Sequence, residues 1–260
     1  MDREELDFLA HQARLWGELD QLFGVKTGVV PVLAPVAAAA AVAVAAPAPV
    51  VDEDLARRRK DNGEKLAALA RRLEGCTRCQ LSKGRTNMVM GQGDPAAELV
   101  FVGEGPGETE DQTGLAFVGR AGELLTKMIQ AMGLTRDEVF ICNVVKCRPP
   151  GNRPPAPDEM ATCLPFLQEQ LEIIKPRVIC ALGKTATVGL GLLSPDAALG
   201  SIRGRFKEHR GTPVMVTYHP SYLLRTPGDK KKAWEDLQKI FPYLTLRPGA
   251  IKPRGAPAPP

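Results

Sequence analysis

The sequence predicts an α/β protein, a three-layer α/β/α sandwich with a central four-stranded parallel sheet, on three observations. Four short apolar runs, Leu99–Gly103, Val139–Asn143, Val178–Leu182 and Val214–Tyr218, are rich in Val, Ile or Phe without strict alternation, as strands covered on both faces require. Helical patterns separate them, at Ala121–Met132, Asp158–Ile174, Thr185–Leu192 and Lys231–Ile240, which implies right-handed crossovers between parallel strands. Polar residues stand directly after the runs, where such sheets bind ligands. With 260 residues, 44% of them hydrophobic, the chain can bury the core of one domain of about 200 residues and still carry extensions.

The first extension covers residues 1–27. Leu9, Ala13, Trp16 and Phe23 recur at helical intervals with charges between them, so an amphipathic helix is expected, packed on the body or docked on a protein partner. This piece has six Asp/Glu against three Lys/Arg, a net charge of −3, which leaves +7 on the rest of a chain whose total is +4. A basic body suits a partner rich in phosphate. The run 28–51 is uncharged and long enough to suggest a membrane span, but Ala dominates it and Pro31, Pro35, Pro47 and Pro49 interrupt it. It reads as a semi-rigid linker, and no membrane association is expected. Residues 53–73 form a charge-rich helical pattern that stops before Gly75, and they open a body spanning residues 52–246. The tail 247–260, rich in Pro and Gly with Lys252 and Arg254, reads as disordered and weakly basic.

The start MDREELDF lacks the basic, then apolar, pattern of a secretory signal, so a reducing, cytoplasmic setting is expected. In that setting, cysteines at ligand spacing hold metal more often than they form disulfides. Cys76-x-x-Cys79, with Cys147 and Cys163, makes four thiolates in two pairs. That set fits zinc or a [4Fe–4S] cluster, and spacing alone leaves the two open. Cys142 and Cys180 fall inside strand patterns and read as buried apolar residues.

Beyond the strand ends stand Gly103-Glu104-Gly105-Pro106-Gly107, Asn143 to Cys147, Gly183-Lys184-Thr185 and His219-Pro220-Ser221. Glu104, Asn143 and His219 should converge on one rim. A nucleotide-loop reading fails in detail. Gly103, Gly105 and Gly107 run into an acidic stretch that would repel pyrophosphate, and the glycine that a Walker motif needs upstream of Gly183-Lys184-Thr185 would fall at Val178.

Three segments, GEGPGETEDQTGLAFVGRAGELL (103–125), NVVKCRPPGNRPP (143–155) and YHPSYLLR (218–225), closely resemble the signature regions of the family-four uracil-DNA glycosylases, the thermostable type with an iron–sulfur cluster. The resemblance spans about residues 70–245. It implies the uracil-DNA glycosylase fold, a [4Fe–4S] cluster on Cys76, Cys79, Cys147 and Cys163, and base excision from single- or double-stranded DNA by a monomer. Such an enzyme must extrude the nucleotide from the stack at a cost of about a few kcal/mol.

The resemblance also distributes roles. Phe117 stacks on the flipped uracil. Asn143 accepts from N3–H and donates to O4, a pattern that cytosine reverses. His219 stabilises the negative charge at O2 of the leaving base, and Glu104 orients water. Glu110 lies near C5 of the base, in a pocket that includes Gly105, and Asp111 is a neighbour without an assigned role. Tyr222, Leu223, Leu224 and Arg225 fill the gap in the DNA and hold the strand, with ordinary helix-start packing the favoured use of at least one of the two leucines. Lys146, Arg148 and Arg153 grip phosphate on the Pro-rich loop that the cluster organises. Relatives that become trapped on DNA carry a basic insertion with a histidine in that loop; none is present here, so turnover is expected. The competing expectations are a non-catalytic iron–sulfur DNA-binding relative and a nucleotide-binding iron–sulfur oxidoreductase.

Overall fold

The computed structural model describes residues 53–245. The expected N-terminal helix over 1–27, the linker over 28–51 and the tail over 247–260 lie outside these residues. The elements relevant to the site are α1 (Glu53–Leu73), β1 (Gln92–Gly93), β2 (Leu99–Gly103), α2 (Glu108–Thr113), α3 (Arg120–Ala131), β3 (Phe140–Asn143) and α4 (Pro157–Ile174). They continue with β4 (Val178–Leu182), α5 (Gly183–Gly189), β5 (Phe206–His209), β6 (Thr212–Thr217), α6 (Pro220–Arg225) and α7 (Lys230–Gln238).

The sheet has six strands in the order β1-β3-β2-β4-β6-β5, where the sequence predicted four. The four expected strands form its centre, and all their neighbouring pairs are parallel. The two additional strands are antiparallel edges. Both lack an apolar run: β1 is Gln92-Gly93, and β5 is the half-exposed Phe-Lys-Glu-His of 206–209. Edge strands need cover on fewer sides, so the hydrophobic signal that marks central strands is missing from them.

Side chains of the central strands alternate between two apolar layers, as the period of two requires. Leu99, Phe101, Ile141, Val178, Cys180 and Met215 join Leu125, Met128 and Ile129 of α3 and Leu237 of α7. Val100, Val102, Cys142, Ile179, Ala181 and Val216 face the other way, onto Leu69 and Leu73 of α1 and Leu167 and Ile174 of α4. Cys142 and Cys180 are thus fully buried on opposite faces, as their strand positions predict. Among the described residues no helix is long and apolar enough to cross a membrane.

β2 is flanked by β3 on one side and β4 on the other. The chain therefore leaves β2 in one direction and returns past it in the other, which opens a crevice beyond the carboxyl ends of β2 and β4. Gly103 and Asn143 are register partners at that edge, and Gly183 and His219 follow the ends of β4 and β6.

Candidate active site

The crevice holds a cavity of 540 Å³ lined by Glu104, Gly105, Glu110, Phe117, Asn143, Arg153, His219, Tyr222 and Arg225, among others. Carboxylate, amide and imidazole thus meet in one pocket, as the strand-end rule predicts. Asn143 is 1% exposed, and its side-chain Oδ1 is buried with no hydrogen-bond partner. An orphaned buried acceptor costs about 1–3 kcal/mol, so a fold retains one where a ligand satisfies it.

Gly103 makes this arrangement possible. A Cβ there would lie 2.4 Å from Asn143 Oδ1 and 2.4 Å from Cζ of Phe117, so only glycine lets the amide and the ring share the strand end. Phe117 itself is buried with φ +52°, a left-handed conformation that a bulky residue adopts only when its surroundings impose it. Those surroundings are specific. Glu110 Oε1 accepts from Val118 N at 2.9 Å and Gly119 N at 2.8 Å, Glu110 Oε2 accepts from Gly107 N at 3.1 Å, and Arg136 Nη2 donates to the Ala116 carbonyl at 2.7 Å. Glu110, read in the sequence as a base contact, lines the pocket but is 8% exposed, with both oxygens engaged by main-chain N–H groups. Asp111 is also buried and accepts from Thr86 N at 2.9 Å.

His219 caps the N-terminus of α6: its Nδ1 accepts from Ser221 N at 3.1 Å. The ring proton therefore sits on Nε2, the atom left to donate. Burial, followed by the Arg225 charge, lowers the His219 pKa to about 4, so the imidazole is neutral at physiological pH. Its ring lies 5.6 Å from that of Phe117. Glu104 is half-buried and accepts from Thr185 Oγ1 across the crevice. Burial raises its pKa, and the Thr185 hydrogen bond pulls the other way.

The segment after His219 divides its tasks. Leu223 is 0% exposed and belongs to the core, which corrects its assignment as a DNA wedge; Leu224, 37% exposed, remains available. Adjacent residues of a helix point about 100° apart, so when one leucine faces the core its neighbour turns toward solvent. Tyr222 stacks on Tyr218 at 4.8 Å and donates to Asp229 Oδ2 at 2.6 Å. Arg225 lines the pocket with no ion pair among the described residues.

The basic residues of the Pro-rich loop differ from expectation. Lys146 cannot grip phosphate: it is 1% exposed, and its Nζ donates to the Asn143 carbonyl at 2.7 Å and Gln170 Oε1 at 2.5 Å. Arg153 lines the pocket but is held in a two-pronged pair with Glu159 at 2.7 and 2.8 Å, and Arg148 donates to Asn152 Oδ1 at 2.8 Å. Sequence reasoning placed Gly103 and Thr185 at strand ends without giving either a role in the site, and it missed Arg136.

Four of the six free cysteines, Cys76, Cys79, Cys147 and Cys163, line one small cavity of 20 Å³ with Leu73, Arg85 and Phe166. Among the described residues no group of three or more His, Cys, Asp or Glu side chains is arranged for a single ion. Two donors point at the sulfurs: Arg85 Nη1 lies 3.2 Å from Cys147 Sγ and Lys146 N lies 3.4 Å from Cys163 Sγ. Both would favour thiolate.

A crevice of this shape, with an unpaired acceptor at its floor and an aromatic wall, defines a protein that reads a planar, hydrogen-bonding ligand. The family model described as the Uracil DNA glycosylase superfamily matches residues 90–238, more than half of the chain. The chain belongs to this superfamily, in its type-4 group. It is 46% identical to the type-4 uracil-DNA glycosylase of Thermotoga maritima over 184 residues, 70% of this chain and 95% of that protein. It is 41% identical to the type-4 uracil-DNA glycosylase of Saccharolobus solfataricus over 192 residues, 71% of this chain and 89% of that one. A type-5 uracil-DNA glycosylase of Pyrobaculum aerophilum is 33% identical over 146 residues, 50% of this chain and 64% of that protein.

Proposed function

We propose that this protein excises uracil from DNA, taking the extruded nucleotide into the 540 Å³ pocket and hydrolysing its N-glycosidic bond to leave an abasic site. The observation that carries this reading is the buried, unpaired Oδ1 of Asn143, beside the Phe117 ring and facing the same cavity as His219. Uracil N3–H supplies the missing donor, and uracil O4 takes the amide N–H. Stacking on Phe117 contributes about 1–3 kcal/mol.

As the bond to C1′ breaks, the departing uracil carries the electron pair and negative charge reaches O2. Neutral His219 donates its Nε2–H there, as a preorganised donor aimed at the developing charge. Glu104 holds the water that adds to C1′ and takes up its proton, and its carboxylate also favours the cationic sugar. Arg225 meets the DNA backbone, and Leu224 enters the gap in the stack. No lysine stands in the pocket for Schiff-base chemistry among the described residues, which agrees with a monofunctional enzyme.

Cys76, Cys79, Cys147 and Cys163 are the ligands we propose for a [4Fe–4S] cluster. Four thiols around one cavity, apolar walls from Leu73 and Phe166, and donors aimed at two sulfurs fit such a group. When bound, it supplies metal–thiolate bonds that join the turn after α1, the loop after β3 and helix α4. Cys142→Ala and Cys180→Ala should retain iron and sulfide, and Cys163→Ala should lose both.

Incubation with a single-stranded oligonucleotide containing one uracil tests the enzyme reading. Free uracil and an alkali-labile site are expected from the intact protein. Tight binding with neither product would contradict it.

A further inference from the structure

The segment 143 to 147 runs from the base pocket to the cysteine cavity, and it carries a buried lysine that the reaction does not use. Lys146 sits between Asn143, which faces the pocket, and Cys147, which faces the cavity. Its ammonium donates to the Asn143 main-chain carbonyl at 2.7 Å and to Gln170 Oε1 at 2.5 Å. Gln170 is fixed in turn, donating through Nε2 to the Met90 carbonyl at 2.6 Å. The main-chain N–H of the same lysine lies 3.4 Å from Cys163 Sγ.

No carboxylate pairs with this ammonium among the described residues, and both its acceptors are neutral. Burial alone pushes this amine toward its neutral form, so its place in the fold rests on its contacts: the side chain holds Asn143 and Gln170, and the main-chain N–H points at Cys163. The cysteines near it are Cys142, buried in β3, and Cys163, and the lysine itself lines the cavity of Cys76, Cys79, Cys147 and Cys163. Metal-bound thiolates supply negative charge there without a carboxylate.

We infer that Lys146 is a positioning residue that couples the metal-loaded cysteine set to base reading. On one side its main-chain N–H meets the Cys163 sulfur; on the other its side chain fixes the Asn143 carbonyl and so aims the amide above it. The inference rests on the uracil-excision reading for its catalytic arm. It gives a metal site in a hydrolytic enzyme a task in substrate recognition, through a single side chain.

Lys146→Met keeps the aliphatic stem and removes the charge, and Gln170→Leu removes one of the two acceptors. Single-turnover excision is measured for each, alone and in the Asn143→Ala background. Lys146→Met should lower kcat/KM by about 10- to 100-fold, the equivalent of one hydrogen bond to a charged group, and should have no further effect once Asn143 is alanine. An equal fall in both backgrounds would mean a role in folding alone and would overturn the inference, as would no fall at all. Gln170→Leu should act in the same direction with a smaller effect and the same dependence on Asn143, which decides the matter if Lys146→Met does not fold.

A second arm reads the cysteine side without substrate. Iron released to a chelator should leave the Lys146→Met or Gln170→Leu holoprotein faster than the wild type, and equal rates would overturn the coupling. A wild-type protein that keeps its iron but releases no uracil would instead refute the excision reading, and the chelator arm would still decide the role of Lys146.

Discussion

Base pocket and cysteine cavity are joined by the short segment 143 to 147, which gives Asn143 to the first and Lys146 and Cys147 to the second, yet they are built on different plans. The pocket is open, 540 Å³ in volume, and set on the ends of parallel strands, with Asn143 Oδ1 left unpaired. The cavity encloses 20 Å³, comes from a turn, a loop and a helix, and has N–H donors already pointed at its sulfurs. A site that must recognise a transient guest keeps polar groups unsatisfied on a rigid frame, whereas a site for a resident group saturates them. Variants should separate the two regions accordingly.

The largest separation is expected at His219. His219→Leu removes the N–H aimed at O2 of the leaving base and should lower kcat by about 10²- to 10³-fold in single-turnover assays, with iron content unchanged. Loss of iron in that variant would mean that the two regions are not independent in this direction.

The adjacent leucines sharpen the contrast between frame and surface. Leu223→Ala opens the core and should cost about 2–5 kcal/mol in denaturant unfolding. Leu224→Ala should stay within about 0.5 kcal/mol of wild-type stability while slowing excision from duplex more than from single-stranded DNA. Equal stability losses would erase the distinction that their burial makes. Gly103→Ala is the next smaller effect, with about 1–3 kcal/mol of overpacking at the amide and ring, read as weaker uracil binding.

The mildest effects concern pH. Glu104 must be ionised to act, and burial raises its pKa, so the acid limb of kcat/KM should lie above the ordinary glutamate value of 4.5. That limb should vanish in Glu104→Gln. His219, with a pKa near 4, is already neutral near pH 6.5 and should add no limb there. Its signature is in stability. Between the unfolded value of 6.5 and about 4, the unfolded chain binds the proton that the folded site refuses, so stability from this group falls as pH drops through that window.

Much of this was legible in the sequence because strand ends are readable. Four Val/Ile/Phe runs placed Glu104, Asn143 and His219 at one edge, and the structure brings them together. The edges β1 and β5 were not legible, since they bury too little to need an apolar run. Lys146 was misread because a lysine in KCRPP looks like a surface residue from composition, while its burial is decided by a partner distant in sequence, Gln170. One leucine of SYLLR was expected to pack inward, and the structure shows that it is Leu223. Glu110 shows the same limit: its carboxylate is bound by N–H groups eight and nine residues on, a closure that no local pattern announces.

The account depends most on the Asn143 amide as the reader of the base. Wild-type and Asn143→Asp proteins, given matched oligonucleotides with uracil or cytosine at one position, measure this directly. Release of uracil alone by the wild type, and a sharply narrowed uracil-to-cytosine ratio in Asn143→Asp, is the predicted result. An unchanged ratio in the variant, or equal release of both bases by the wild type, would contradict it.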